Sequence, residues 1–201
     1  MRFFRVPKFL RWNYREGVWQ GRKSEVYLTF DDGPHPLVTP WVLELLEKHE
    51  IQATFFCVGK NVELNSELFQ RILDAGHSVG NHTMFHERGW HTTTSQYIES
   101  VIQAKKNIHS LLFRPPYGSL TFRQFKKLKT LGFKVVFWSW ISYDFDQNCQ
   151  QDEILKQAKR IKGGDILVFH DSEKAKFNLE GVLEKIIVEL KQKGLKFSTI
   201  S

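Results

Sequence analysis

From residue 25 onward, short apolar runs alternate with longer segments in which apolar side chains recur every three or four positions. The runs EVYLTF (25–30), ATFFCV (53–58), HSVGN (77–81), LLF (111–113), FKVVFWSW (133–140), DILVFH (165–170) and LKFSTI (195–200) are mostly rich in β-branched and aromatic residues. Their length and composition predict seven strands. Between them, residues 39–50, 66–76, 95–109, 121–132, 151–164 and 179–194 carry the helical period, and four of these six segments end in glycine, a common helix terminator. Regular alternation of strands with helices predicts an α/β fold with parallel pairing, because parallel neighbours need a crossover. A barrel and an open doubly wound sheet both satisfy the pattern.

The 201 residues, 41% of them hydrophobic, suffice for one sizeable core. No apolar stretch reaches the ~20 residues of a membrane span. The N-terminal MRFFRVPKFLRWNYREG breaks its apolar residues with arginine and lysine every two or three positions, so it lacks the apolar centre of a secretory signal. With only Cys57 and Cys149 present, free thiols and a cytoplasmic location are expected.

Charge divides the chain. Residues 1–23 hold Arg2, Arg5, Lys8, Arg11, Arg15, Arg22 and Lys23 against Glu16 alone, which accounts for +6 of the net +7. The near-neutral remainder argues against a nucleic-acid groove. The expected organisation is a basic aromatic arm (1–24) followed by one catalytic domain (25–201). In the arm, Phe3, Phe4, Phe9, Leu10 and Trp12 interleave with cations. That composition suits either peripheral contact of residues 1–14 with an anionic membrane or packing of the aromatics on the domain.

The candidate chemistry sits at predicted strand ends. Asp31 and Asp32 stand side by side in LTFDDGP (28–34). Asp-Gly-Pro makes a turn, but a turn leaves Asp31 unexplained. A cation held there, or a division of labour between a ligand and a base, explains both. NHTMFH places His82 and His86 four apart, within reach of one ion on a helical turn. With one aspartate they form a two-histidine, one-carboxylate set suited to zinc, iron(II), cobalt or manganese. Three more strand ends carry FRPPYG (113–118), WISYDFD (140–146) and LVFHD (167–171). In parallel α/β folds such ends converge on one face.

TFDDGP, HTMFH, RPPYG, SYDFD and LVFH resemble, in order and approximate separation, the five motifs of the polysaccharide deacetylases, carbohydrate esterase family four or NodB-homology domain. The likeness spans about residues 25–200. It implies a distorted (β/α) barrel of about seven parallel strands, TIM-barrel-like, and a metal-dependent hydrolase that removes N-acetyl groups from amino sugars of a glycan, releasing acetate. By motif position Asp31 is the general base. Asp32, His82 and His86 are ligands of one divalent ion, zinc foremost. Arg114 pairs with the base, His170 is the general acid, and Asp144 orients it. The backbone N–H of Tyr117 faces the oxyanion, Leu167 lines the acetyl pocket, and Phe145 forms an apolar wall. The fourth motif departs from the family's D-x-x-D-W: Ile141 stands at the first aspartate and Phe145 at the tryptophan. Trp90, Tyr117, Trp138, Trp140 and Tyr143 are candidates for stacking on sugar rings. Competing expectations are a deformylase or deacetylase of a lipid-linked sugar at a membrane surface, and a non-catalytic carbohydrate-binding protein.

Overall fold

The computed structural model describes residues 2–201, except for the side chains of Lys8, Phe9 and Leu10; the arm residues Phe9 and Leu10 therefore lie outside the described side chains. The strands are β1 (Glu25–Asp31), β2 (Thr54–Cys57), β3 (Ser78–Asn81), β4 (Leu112–Phe113), β5 (Lys134–Val135), β6 (Trp140–Ile141), β7 (Ile166–His170) and β8 (Lys196–Phe197). Their order is β5-β4-β3-β2-β1-β7-β6, with β8 on the start of β1, and every pair is parallel. The outermost strands, β5 and β6, are joined by residues 136–139 alone. So short a link between opposite ends forces the sheet to curl into an incomplete barrel.

Strand alternation assigns the two faces. Val26, Leu28 and Phe30 of β1 enter one apolar core with Leu167 and Phe169 of β7, α1 (Thr39–Lys48) and the long α7 (Lys176–Gln192). Tyr27 of β1 and Ile166 of β7 join Phe56, Leu112, Val136 and Ile200 inside the barrel. A third cluster packs α4 (Thr94–Lys105) and α5 (Phe122–Thr130) against β4 and β5. Thr121 and Gln124 cap α5 reciprocally, which fixes where that helix begins.

The run 133–140, read as one strand, forms two. Arg114 explains the break: Nε donates to the Val136 carbonyl at 3.4 Å and Nη2 to that of Phe137 at 3.2 Å. Those carbonyls serve a side chain, so the ladder stops there. Two further helices, α2 (Gly59–Leu64) and α3 (Ser66–Asp74), follow β2 where one was expected, and α6 (Gln151–Ala158) precedes β7.

The arm continues the sheet at the free edge of β6. Arg5 pairs with Trp140 antiparallel, Ile141 N–H donates to the Phe4 carbonyl at 3.0 Å, and Val6 N–H to that of Ser139 at 3.2 Å. Phe4 is buried against Trp140 and Tyr143. Arg5 forks onto buried Asp165 at 3.0 and 2.6 Å, and Arg2 reaches Asp146 and Glu153. Phe3 and Trp12 remain exposed. Both cysteines are buried and free, and no helix among the described residues is long and apolar enough to cross a membrane.

Candidate active site

Backbone strain marks one end of the barrel. Six described non-glycine residues adopt positive φ: Asp32, Glu50, Thr83, His86, Tyr117 and Tyr143. All but Glu50 lie in loops that follow strand C-termini, and such conformations cost roughly 1–3 kcal/mol each and cluster where geometry must be held.

Asp31 and Asp32 diverge because β1 ends between them. Asp31 is the last strand residue and points into the barrel beside Arg114, whose Nη1 donates to Asp31 Oδ1 at 2.7 Å and to Thr29 Oγ1 at 2.6 Å. The guanidinium is closed to solvent and lies 4.0 Å from the Phe56 ring centre. Burial lowers the Arg114 pKa, and Asp31 opposes that shift.

Asp32, turned by its φ of 84°, faces the two histidines. His86 Nε2 is 3.1 Å and His82 Nε2 3.8 Å from Asp32 Oδ1. One ligand atom from each residue lies within 4.8 Å of the others, the only such group of histidines, cysteines and carboxylates among the described residues. His82 Nδ1 contacts the Arg114 carbonyl at 2.8 Å, which fixes the tautomer and leaves Nε2 free as a donor atom. Burial lowers the His82 pKa to about 4. Burial also raises that of Asp32, but His86, His170 and His82 outweigh it and hold the carboxyl well below its usual range. A carboxylate beside a neutral imidazole is the protonation state that a divalent cation requires. The set fits a metal.

Neighbours hold these ligands rigidly. Asn61 Nδ2 donates to the Asp32 carbonyl at 2.7 Å, and buried Asn81 accepts from Thr83 N–H while donating to Val101. Asp171, which drew no expectation from the sequence, accepts the Gly33 N–H at 3.1 Å and the Thr39 hydroxyl at 2.5 Å. A Cβ at Gly33 would fall 2.0 Å from Asp171 Oδ2, so only glycine admits this contact. The signal was present in the sequence, an aspartate directly after His170 at a strand end, but it named no partner.

His170 closes the opposite side. Its Nδ1 is 2.8 Å from Asp144 Oδ1, and its backbone N–H donates to Asp144 Oδ2 at 2.8 Å. Burial lowers the His170 pKa, but the Asp144 charge and hydrogen bond prevail and raise it to about 9. Asn178 of α7 donates to the Asp144 carbonyl and fixes this loop.

Asp31, Asp32, His82, His86, Tyr117, Ile141, Phe145 and His170 share one cavity of about 640 Å³. Arg88, Trp138, Val168, Ser172 and Lys174 complete its walls. Arg114 and Asp144 lie behind the wall, each bonded to a residue in it. The Tyr117 N–H has no hydrogen-bond partner among the described residues. Of the aromatic candidates, Tyr117 and Trp138 line the cavity, whereas Trp140 is buried in the core, Tyr143 packs on Phe4, and Trp90 stands exposed outside.

Leu167 is placed differently from the expectation. It sits fully buried in the outer core, and Val168 lines the cavity instead. The period of two requires this: the residue sharing a face with His170 is the one two positions earlier.

The comparisons with known proteins agree with this architecture. The sequence model of the polysaccharide deacetylase family matches residues 20–136, more than half of the chain. A peptidoglycan-N-acetylglucosamine deacetylase of Bacillus cereus is 36% identical over 193 residues, covering 92% of this chain and 91% of that one. The peptidoglycan-N-acetylmuramic acid deacetylase PdaA of Bacillus subtilis is 34% identical over 193 residues, covering 89% and 71%. The crystal structure of the Bc1960 peptidoglycan N-acetylglucosamine deacetylase superposes with a TM-score of 0.87 at 30% identity, covering 93% of this chain and 92% of that one. The fold is the distorted barrel of carbohydrate esterase family four, and the chain belongs to the polysaccharide deacetylase family.

Proposed function

We propose that the protein is a metal-dependent N-deacetylase of N-acetylglucosamine-containing glycans, with Asp31 as base and His170 as acid. The observation that carries this reading is that a candidate base and a candidate acid face one cavity, each held by a buried partner of opposite charge. Asp31 is held by a buried guanidinium, and His170 is kept charged by Asp144. A lectin gains nothing from a base and an acid that lie far apart in sequence yet face one space.

Asp32, His82 and His86 would hold the cation, which supplies Lewis-acid polarisation of the N-acetyl carbonyl. Zinc, which takes two histidines and a carboxylate with a position left open, suits the donor set. Asp31 accepts a proton from the attacking water as the new carbon–oxygen bond forms. Arg114 keeps that carboxylate aimed, through the 2.7 Å bond from its Nη1. The Tyr117 N–H, free of other partners, donates to the developing oxyanion. His170 gives its Nε2 proton to the sugar nitrogen as the carbon–nitrogen bond breaks, leaving acetate and a free amine. Asp144 stabilises the imidazolium until that transfer. Val168, Phe145 and Ile141 provide the apolar wall against which the acetyl methyl rests.

Ile141 cannot supply the hydrogen bonds of the family's first motif aspartate. Next to it, the Ser142 hydroxyl accepts the Asp144 N–H at 3.2 Å. Acetate release from N-acetylglucosamine oligosaccharides tests the reading. The expected result is turnover that chelation abolishes and zinc restores. Formate release from N-formyl sugars without acetate release from N-acetyl ones would assign a deformylase instead.

A further inference from the structure

The loop that carries Asp144, residues 142–146, lies between β6 and α6. From inside the domain it is tied by Ser142, whose hydroxyl accepts the Asp144 N–H, and by Asn178, which donates to the Asp144 and Asp146 carbonyls. From outside, the N-terminal arm reaches the loop on both sides of Asp144. Before it, the Phe3 N–H donates to the Tyr143 hydroxyl at 3.2 Å, and the Phe4 ring packs edge-on against the Tyr143 ring with centroids 5.0 Å apart. After it, Arg2 Nε donates to Asp146 Oδ2 at 2.8 Å and Nη1 to Glu153 Oε2 at 3.2 Å.

This hold falls where the backbone needs it. Tyr143 has a φ of 58°, a conformation that a bulky residue keeps only when its surroundings enforce it. Relaxation there turns the next residue, which is Asp144. Rings extend the contact inward: Tyr143 packs on Phe145 at 5.8 Å, and Phe145 edge-on against His170 at 4.8 Å. The arm grips from a fixed base, because residues 4–6 pair with Ser139 and Ile141 through the backbone and Arg5 forks onto Asp165.

We propose that Arg2, Phe3 and Phe4 are positioning residues for the general acid: by holding Tyr143 and Asp146, they keep the Asp144 carboxylate in line with both of its bonds to His170. This rests on the proposed deacetylase reading and gives the arm a task in its chemistry. None of the three lines the cavity, so their effect passes through the loop. Misplacing a catalytic group by about 1 Å can cost on the order of 10²-fold in rate, so a loop under backbone strain gains from an outer brace.

The test uses the zinc-loaded full chain carrying Arg2→Gln/Phe4→Ala, which retains Arg5 and the backbone pairing. Its kcat for acetate release from N-acetylglucosamine oligosaccharides should fall by about 10–100-fold, with KM and zinc content little changed. The loss should be smaller on acetate esters of acidic phenols, as a fault in the acid requires. The His170 amide, which donates to Asp144 Oδ2, should lose protection from hydrogen exchange, while the Phe169 amide of the same strand keeps its own. Arg2→Lys/Phe4→Leu, which retains the charge and the apolar bulk, should recover most of the rate and the protection. Thermal unfolding verifies that each variant is folded. Tyr143→Phe, a second variant that removes only the hydroxyl accepting the Phe3 N–H, should move the same readouts in the same direction by up to about tenfold, the scale of one hydrogen bond. Protection lost alike at His170 and Phe169 would make the arm a general brace of the domain and overturn the proposal. Wild-type kcat, or wild-type protection at His170, in the folded variants would also overturn it, and acetate release by the unmodified chain would then leave the deacetylase reading intact. Selective loss of His170 protection, with no acetate released even by the unmodified chain, would support the hold and overturn that reading.

Discussion

His170 and Asp144 are joined twice, through the imidazole Nδ1 and through the His170 backbone N–H, each at 2.8 Å from one carboxylate oxygen. The double link aims the ring and sets its charge. With its pKa raised to about 9, the imidazolium remains available across neutral pH, where an ordinary histidine at ~6.5 is largely neutral. The sign follows: stability from the charged pair is fully present below the unfolded value of ~6.5 and is lost as pH rises through about 9. Asp144→Asn should therefore move the basic limb of the kcat/KM profile from near pH 9 toward the ordinary histidine range. A basic limb left in place, with metal content unchanged, would assign the acid's pKa to another group.

His170→Ala should abolish most hydrolysis of N-acetyl sugars, by ~10²-fold or more, the scale of a lost general acid. The loss should be smaller on acetate esters of acidic phenols, whose leaving group departs without a proton. Equal losses on both substrate types would contradict the assignment.

Arg114 is fully buried, and its removal leaves Asp31, Thr29 and two carbonyls without a donor. Arg114→Met should destabilise the fold by about 3–5 kcal/mol, the cost of stranding a buried charge. Arg114→Lys keeps the charge but not the fork and should lose less. Urea unfolding of both variants measures this, and a stability equal to wild type for Arg114→Met would contradict the pairing.

Asp171 holds Gly33, one residue beyond the proposed metal ligand Asp32. Asp171→Ala should weaken zinc binding by about 10–100-fold, the usual range for residues that support ligands. Asp171→Asn, which retains an acceptor, should weaken it less. Zinc titration with circular dichroism on each variant separates this effect from unfolding. Unchanged affinity in a folded Asp171→Ala would contradict the role.

The sequence carried the elements with strong local signals. Alternating apolar runs located the strands, and glycine-ended helical segments located most crossovers, because both signals depend on neighbours within one turn or one pleat. The split of 133–140 was invisible, since its cause is Arg114, a residue distant in sequence that takes two ladder carbonyls. Leu167 illustrates register: a motif places a residue along a strand, but only the pleat assigns its face, and here Val168 lines the cavity. Asp171, Arg88 and Lys174 escaped because single charged residues in loops have no periodic context. The arm was legible in composition but not in placement. Its Phe4, Arg2 and Arg5 are engaged by the β6 edge and nearby carboxylates, while Phe3 and Trp12 face outward. Flotation with anionic vesicles addresses contact of that exposed pair with a membrane.

The adjacent aspartates make the central claim separable, because a ligand and a base fail differently. Asp31 faces Arg114 and Asp32 faces His82 and His86. Zinc content and acetate-release rate, measured together on Asp31→Asn and Asp32→Asn, test this division most directly. Asp31→Asn should retain most of its zinc while kcat falls by ~10²-fold or more, and Asp32→Asn should lose zinc and activity together. Loss of zinc from Asp31→Asn with normal retention in Asp32→Asn would contradict the account.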